Sequence, residues 1–271
     1  MELIIFSGAL IFFIFGLLLG SFFNVLIYRL PKNESIIWPG SHCPNCNHII
    51  KFYENIPVLS YIFLRGKCSG CKSKIPLQYP IVEFTTACLN LVLWYFIAAP
   101  YLLEYHNIWD NIFIILQILS VLILIPVSVI DFKHYIIPDS ISLGGLVIAI
   151  IFSFFPGTIT PLEMLFGILA GGGTLFLMGL FGQYVLRKEE SMGGGDIKLL
   201  AFLGAVWGWE IAFMTILLGA CFGSIMGLIL IGIKIIDKNK HIPFGPYLSI
   251  GFFISIFWGK AIINWYLAFL I

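Results

Sequence analysis

Charged residues are scarce in this chain of 271 residues. Asp, Glu, Lys and Arg together make up only 11% of it, whereas soluble domains contain about 25%. Hydrophobic residues make up 60% of the chain, and its mean hydropathy is +1.01. So few charges exclude an ordinary water-soluble domain. The formal net charge of +1 gives no indication of a nucleic-acid partner.

The chain also lacks the short alternating hydrophobic and polar segments that build transmembrane barrels. It contains instead several apolar runs near the ~20 residues that a helix needs to cross a lipid bilayer. We therefore predict an all-α polytopic membrane protein with about eight transmembrane helices. The predicted spans are residues 3–28, 81–103, 112–130, 140–155, 162–186, 199–209, 211–236 and 244–271.

Basic residues are nearly absent from every second loop, and this asymmetry predicts the orientation in the membrane. Fourteen of the fifteen Lys and Arg residues fall in the first, third, fifth and seventh connections, and Lys260 is the exception. Loops rich in Lys and Arg stay in the cytoplasm, so we expect these connections there and both termini outside. The alternation also requires a reversal at Trp-Gly-Trp-Glu, residues 207–210, between the sixth and seventh spans.

Residues 31–80 are the one stretch polar enough to fold in water, and they contain four of the six cysteines. The sequences Cys-Pro-Asn-Cys (43–46) and Cys-Ser-Gly-Cys (68–71) are typical of a tetrahedral zinc site. A cytoplasmic location disfavours disulfides, and a segment this small needs a stabilising metal. We expect His42 and His48 to be surface residues. The alternative to a zinc site is that the four cysteines are redox-active or unused thiols. The predicted zinc ligands are Cys43, Cys46, Cys68 and Cys71.

Two aspartates lie where the chain leaves or enters an apolar run on the predicted cytoplasmic side. Asp131 ends the third span, and Asp196 follows three consecutive glycines. A charged group at membrane depth is costly and therefore suggests a function. When two carboxylates share a partly dry site, one keeps a proton and donates it while the other activates water. Asp131 and Asp196 are therefore candidates for the catalytic pair of an aspartic protease.

The surroundings of these aspartates support a site below the membrane surface. The spans after them, residues 140–155 and 199–209, are short, so we expect the preceding loops to dip into a cavity. The glycines at 193–195 would let a peptide backbone approach Asp196, or would only form a helix entry turn. We interpret Asp139 as the N-cap of the fourth span. Glu83 is expected to pair with a basic residue of segment 31–80 or to bind substrate.

Six segments together resemble the type IV prepilin peptidase family, the leader peptidases and N-methyltransferases of type IV pili and type II secretion. They follow one another from the first span to about residue 210. The segments are GSFFNVLIYRLP (20–31), SHCPNC (41–46), ENIPVLSYIFLRGKCSGC (54–71), YPIVE (79–83), DFKHYIIPD (131–139) and GGGDIKLL (193–200).

The resemblance implies an activity, a location and a division of the chain. The enzyme would lie in the bacterial inner membrane and cut prepilins or pseudopilins after a glycine on the cytoplasmic side. It would then methylate the new N-terminal residue with S-adenosylmethionine, for which no motif places a binding site. Asp131 and Asp196 would be catalytic, and the four cysteines would bind Zn²⁺. The predicted parts are a first helix (1–30), a zinc segment (31–80) and a membrane-embedded peptidase core (81–271).

Three alternatives remain open from the sequence. The first is an intramembrane protease of the presenilin or signal-peptide-peptidase kind. That family carries Tyr-Asp at the first acid and a later Pro-Ala-Leu, whereas here Ile130 precedes Asp131 and no Pro-Ala-Leu occurs. The second is an ion-coupled transporter that uses both aspartates as a relay, although no internal repeat is evident. The third is a peptidase that has lost methylation.

Overall fold

The structure, a computed structural model, describes residues 2–102, 107–185, 187, 192–234 and 242–270. Within these ranges the regular structure is helical and contains no strand. Two isolated β-bridges join His42 to Ile49 and Lys67 to Lys74. The predicted all-α class is thus confirmed. Three basic residues that contribute to the predicted orientation lie outside the described residues: Lys188, Lys238 and Lys240.

The chain forms two compact units, Met1–His106 and Asn107–Ile271. The predicted division at residues 30 and 80 concerns function and stays a prediction. In the first unit a π-helical stretch, Trp94–Ala98, connects the third helix to the fourth. The helices of this unit are α1 (Glu2–Arg29), α2 (Leu59–Phe63), α3 (Gln78–Leu93) and α4 (Ala99–Leu102).

Helices α1 and α3 pack closely in the first unit. α1 contains no proline over its 28 residues and ends two residues before Pro31. Its Gly16 and Gly20 face α3 without side chains. A Cβ atom on Gly16 would lie 2.7 Å from the Cα of Ala87, and one on Gly20 would lie 2.5 Å from the Cα of Glu83. Glycines four residues apart let two membrane helices approach each other to backbone contact.

The second unit contains eight α-helices among its described residues. Side-chain caps begin two of them: Asn107 accepts hydrogen bonds from the backbone of α5, and Thr160 does so for α8. A π-helical stretch, Leu169–Gly173, connects α8 to α9. The helices are α5 (Ile108–Leu122), α6 (Leu124–His134), α7 (Asp139–Phe152), α8 (Pro161–Ile168), α9 (Thr174–Tyr184), α10 (Gly194–Trp207), α11 (Trp209–Gly232) and α12 (Gly245–Leu270).

Helix α10 forms the core of the second unit. Nine of its 14 residues are buried, and it packs against α7, α8 and the π-helical stretch Leu169–Gly173. The contact with α8 is close because Gly167 and Gly204 meet there, and a side chain on either would overlap the carbonyl of the other. Asp196, in the first turn of α10, is therefore attached to a rigid and enclosed element.

The predicted count of eight membrane-crossing helices is not confirmed by helix length and composition. Six segments of the described residues are long and apolar enough, which confirms a multi-pass membrane protein but not the count of eight. The other two predicted spans, 140–155 and 199–209, correspond to α7 and α10, which have 14 residues each. The six segments are Ile5–Lys32, Gln78–Tyr101, Ile108–His134, Pro161–Tyr184, Trp209–Gly232 and Gly245–Tyr266.

The break expected near residues 207–210 is present. α10 ends at Trp207 and α11 begins at Trp209, with Gly208 between them at φ 84°. That backbone conformation favours glycine, since other residues would be strained there. The sequence thus located this helix boundary correctly, whereas α10 begins five residues earlier than the predicted span.

Candidate functional site

The two aspartates singled out from the sequence come close together in the second unit. Asp131 lies in the last turn of α6, and Asp196 lies in the first turn of α10. Both side chains are buried, with 6% and 9% of their surface exposed, and the two carboxyl groups are near enough to interact electrostatically. Two carboxylic acids in one shielded place have the arrangement that aspartic proteases use to divide a proton between them.

A third element, α12, contacts this pair through its first residue. The backbone N–H of Gly245 donates a buried hydrogen bond of 2.8 Å to Oδ2 of Asp131. This N–H belongs to the first turn of α12, where backbone donors have no partner within the helix. A Cβ atom on Gly245 would lie only 2.8 Å from the same oxygen, so glycine is needed for this close approach.

Two serines fix the position of α12 against α6. The hydroxyl group of Ser128 on α6 donates to Oγ of Ser249 on α12 at 2.8 Å. Ser249 in turn donates to the carbonyl oxygen of Gly245, also at 2.8 Å. Ser128 precedes Asp131 by nearly one helical turn, so this chain of hydrogen bonds runs beside the aspartate. It holds the Gly245 N–H in register with the carboxylate.

Asp196 is less well provided with hydrogen-bond donors than Asp131. Its Oδ1 atom is buried and has no hydrogen-bond partner among the described residues. A buried carboxylate oxygen without a donor is unfavourable when charged, and a protonated carboxyl group avoids that cost. The site is therefore asymmetric: one carboxylate receives a backbone donor, and the other has an open oxygen.

The three glycines before Asp196 have different surroundings. α10 begins at Gly194, so the glycines do form a helix entry turn. Gly195 packs against Asp131's own segment: a Cβ atom there would lie 2.9 Å from the Cβ of Ile137. Gly193 and Gly194 are exposed, and a Cβ atom on Gly194 would meet nothing within 4 Å. Open backbone beside Asp196 thus lies at 193–194, whereas Gly195 lets the two aspartate segments pack together.

Asp139 is not the N-cap of α7, and that prediction is wrong. Pro138 occupies the N-cap position, no side chain caps the helix, and Asp139 is its first residue. The carboxylate of Asp139 instead forms an ion pair with Lys198 of α10, with Nζ to oxygen distances of 2.7 and 2.9 Å. The pair is largely exposed, and it links the beginning of α7, the helix after Asp131, to the beginning of α10, which contains Asp196.

The four cysteines of segment 31–80 converge as predicted. Their Sγ atoms all lie within 4.8 Å of one another, and two of the Sγ–Sγ distances are 3.9 and 4.0 Å. Tetrahedral zinc with ~2.3 Å bonds to sulfur requires about 3.8 Å between ligand atoms, so this cluster fits zinc.

The two cysteine pairs lie on turns of the same geometry. Cys43 and Cys68 each accept a backbone hydrogen bond from the residue four positions later, Asn47 and Lys72. Both of these residues have positive φ angles, 57° and 63°. His48 does not join the sulfur cluster, but it is more than a free surface residue. Its Nε2 atom lies 3.0 Å from Ser69 Oγ and 3.2 Å from Glu54 Oε2, which links the two turns.

Glu83 connects the polar segment to the membrane helices, although not to a basic residue. Its buried carboxylate accepts a hydrogen bond of 2.7 Å from the backbone N–H of Val58. The expected ion pair is therefore wrong. Val58, with a φ of 61°, is held at the beginning of α2 by this contact.

Comparison with known proteins identifies the family. Residues 14–97 match the bacterial peptidase A24 N-terminal domain, and residues 118–228 match the type IV leader peptidase family. Two similar proteins, both named prepilin leader peptidase/N-methyltransferase, are those of Aeromonas hydrophila (35% identical) and Pseudomonas aeruginosa (37% identical). Each alignment covers 94% of this chain and over 90% of the relative. The chain belongs to the type IV leader peptidase family. No solved structure matches it.

Membership of this family confirms the resemblance seen in the sequence. The N-terminal match contains the cysteine segment, and the second match contains both aspartates. The relatives are named as peptidases, which gives no support to a transporter. Gly245 lies beyond both matches, and sequence reasoning missed it. The signal that could have indicated it is Pro-Phe-Gly-Pro (243–246), a helix-breaking sequence at the entrance of the last apolar run.

Proposed function

We propose that this protein is an aspartic endopeptidase that removes the short leader of type IV prepilins or pseudopilins and then N-methylates the new N-terminal residue. The proposed peptidase activity is supported above all by the buried and interacting pair Asp131 and Asp196 on α6 and α10. Its setting in a multi-pass membrane protein suits a substrate whose hydrophobic helix stays in the bilayer. The names of the relatives support the substrate and the second activity.

The surroundings of the two aspartates favour different roles for them. A hydrogen bond to a charged oxygen is worth ~1.5–3 kcal/mol, and Asp131 receives one from Gly245. The position of Asp196 in the first turn of α10 favours its charge by only ~0.3–1 kcal/mol, and the position of Asp131 in the last turn of α6 disfavours its charge by a similar amount. The hydrogen bond outweighs the helix dipole, so Asp131 is assigned as the ionised base and Asp196 as the protonated acid.

In this assignment Asp131 takes a proton from a water molecule as that water attacks the scissile carbonyl carbon. Asp196 donates its proton to the carbonyl oxygen, which carries the developing charge. Collapse of the tetrahedral intermediate breaks the C–N bond, and the leaving amine takes a proton from the pair. The exposed backbone at Gly193 and Gly194 is where the substrate chain would run beside Asp196.

We assign the reaction to the cytoplasmic side of the bacterial inner membrane. The Lys and Arg distribution supports this side, since both aspartates adjoin basic connections. Residues 132–136, at the end of α6 and directly after it, are exposed, as expected where a helix ends at a membrane surface. Labelling of a cysteine introduced at Phe132 in inverted and in intact vesicles tests the assignment. Labelling from the periplasmic side alone would contradict it.

Two groups from outside the chain belong to the proposal. Zinc on the four cysteines would hold the turns of segment 31–80 together and has a structural role. S-adenosylmethionine, when bound, would supply the methyl group. The C–S bond of the methyl group would break with its electron pair going to sulfur. The neutral amine would form the new C–N bond and release a proton to water. The chain must bind this donor and keep the amine of the processed pilin beside it.

The test is incubation of the purified protein with a prepilin peptide and S-adenosylmethionine in detergent, followed by mass spectrometry. We expect a cut after the leader glycine and an added mass of one methyl group. A peptidase without methyltransferase activity would give the first change alone. A transporter would leave the peptide intact, which would refute the proposal.

A further inference from the structure

The first unit contains a cavity of about 330 Å³ between the second half of α1 and the polar segment. Its α1 wall extends from Leu18 to Arg29, which is about 16 Å along the helix. Ser41 and Asn55 of the polar segment line the opposite side. A smaller opening of about 90 Å³ shares Arg29, Ser41 and Asn55, so both belong to one junction. Cavities for small ligands have volumes of about 300–1,000 Å³.

The walls of this cavity are held by hydrogen bonds of Arg29. Its guanidinium group is buried and donates to the carbonyl oxygens of Ser35, Pro39 and Gly40 at 2.8, 2.6 and 3.4 Å. These bonds fix the loop that closes one side. They use three of the five N–H donors of the arginine, so donors remain for a ligand. The cavity is thus formed by the fold before any ligand binds.

We propose that this cavity is the binding site for S-adenosylmethionine. The inference rests on the proposed methyltransferase function and gives it a location in the first unit. The catalytic aspartates belong to the second unit. A ligand in the cavity therefore contacts a set of residues that shares no member with the aspartate site.

The lining matches the parts of this donor. Arg29 is the one charged side chain of the lining, and a guanidinium group pairs well with the carboxylate of the methionine part. Ser21, Ser41 and Asn55 offer hydroxyl and amide groups for the ribose hydroxyls and the amine. Apolar side chains of α1, such as Phe22, and of the loop provide a surface for the adenine ring. The basic leader of a prepilin would be repelled by Arg29, which disfavours the leader as the occupant.

Gly40 offers a way to fill the cavity without disturbing its walls. It borders the cavity, and a Cβ atom there would meet no heavy atom within 4 Å. A leucine at this position would occupy the space of the ligand. Gly144 on α7 is a matched control, because its Cβ position is equally free and it lies in the other unit.

The experiment measures binding of radiolabelled S-adenosylmethionine to the purified full-length protein in detergent by equilibrium dialysis. Gly40→Leu should weaken binding ~10-fold or more, since a blocked pocket loses its ligand contacts. Gly144→Leu should bind as the wild type does. Both variants should keep their zinc and cleave a prepilin peptide at the wild-type rate. Asn55→Ala provides a second, smaller change, and it too should weaken binding while cleavage is preserved.

Three results would overturn the inference, and they differ from one another. If Gly40→Leu keeps its zinc and both binds and methylates normally, the donor site is elsewhere, although the methyltransferase function stands. If the wild type cleaves but neither binds the donor nor methylates, the methyltransferase half of the proposed function fails as well. If a co-purified phospholipid is lost from Gly40→Leu while donor binding is unchanged, the cavity is a lipid site.

Discussion

Substitution of Gly245 by alanine tests the contact that distinguishes the two aspartates. The new methyl group would lie 2.8 Å from Oδ2 and 3.2 Å from Cγ of Asp131. These distances are about half an ångström or more below ordinary contact, so the carboxylate must move away. The hydrogen bond from the Gly245 N–H, now 2.8 Å long, would lengthen beyond its effective range.

The loss can be converted into a rate. A hydrogen bond to a charged group is worth ~1.5–3 kcal/mol, and each ~1.4 kcal/mol corresponds to tenfold in rate. We expect kcat/KM for cleavage of a prepilin peptide to fall about 10- to 100-fold in Gly245→Ala. Most of the fall should be in kcat, because Asp131 acts on the water molecule and not on the bound substrate.

Two further variants separate this effect from a general disturbance of the fold. Gly144→Ala, at a position with free space around it, should cleave at the wild-type rate. Ser249→Ala removes the hydrogen bond from Ser128 but leaves the Gly245 N–H in place. It should cost ~0.5–1.5 kcal/mol, a few-fold in rate. If Gly245→Ala is folded and cleaves within twofold of the wild type, Asp131 does not depend on α12 and the assignment of roles is wrong.

Three other predictions concern the supporting structure. Cys43→Ser should lose the zinc, measured as one ion per chain in the wild type by elemental analysis, and should make residues 31–80 sensitive to proteolysis. Asp139→Asn should lower the cleavage rate by no more than about fivefold, because its exposed ion pair with Lys198 is worth only ~0.2–1 kcal/mol; complete loss would give Asp139 a catalytic role. Glu83→Ala should lower the thermal stability of the purified protein, since the Val58 N–H loses its buried acceptor at a cost of ~1–3 kcal/mol; an unchanged melting temperature would contradict this.

Features that depend on neighbouring residues could be predicted from the sequence. Hydropathy located the helices, because a run of apolar residues between polar ends has one stable arrangement in a bilayer. The cysteine pairs predicted their cluster, because Cys-x-x-Cys turns and zinc geometry leave few alternatives. The boundary at Gly208 could be expected from the aromatic residues around it.

Contacts between distant segments and backbone groups could not be predicted in this way. The Gly245 N–H lies 114 positions from Asp131. Every residue except proline has a backbone N–H, so the residue type does not indicate which one is a donor. Glu83 was expected to pair with a cation, but its partner is the backbone of Val58. Asp139 looked like a helix cap, but Pro138 occupies that position and Lys198 of α10 pairs with the carboxylate. In each case a tertiary contact replaced the local interpretation.

The most direct test of the central claim is the mass of a prepilin co-expressed with this protein in a host without its own prepilin peptidase. The wild type should release a pilin shortened by its leader and heavier by one methyl group. Asp131→Asn and Asp196→Asn should each leave the prepilin at full length, although both variants insert into the membrane and bind zinc. A shortened pilin in cells with either variant would remove that aspartate from the mechanism and contradict the account.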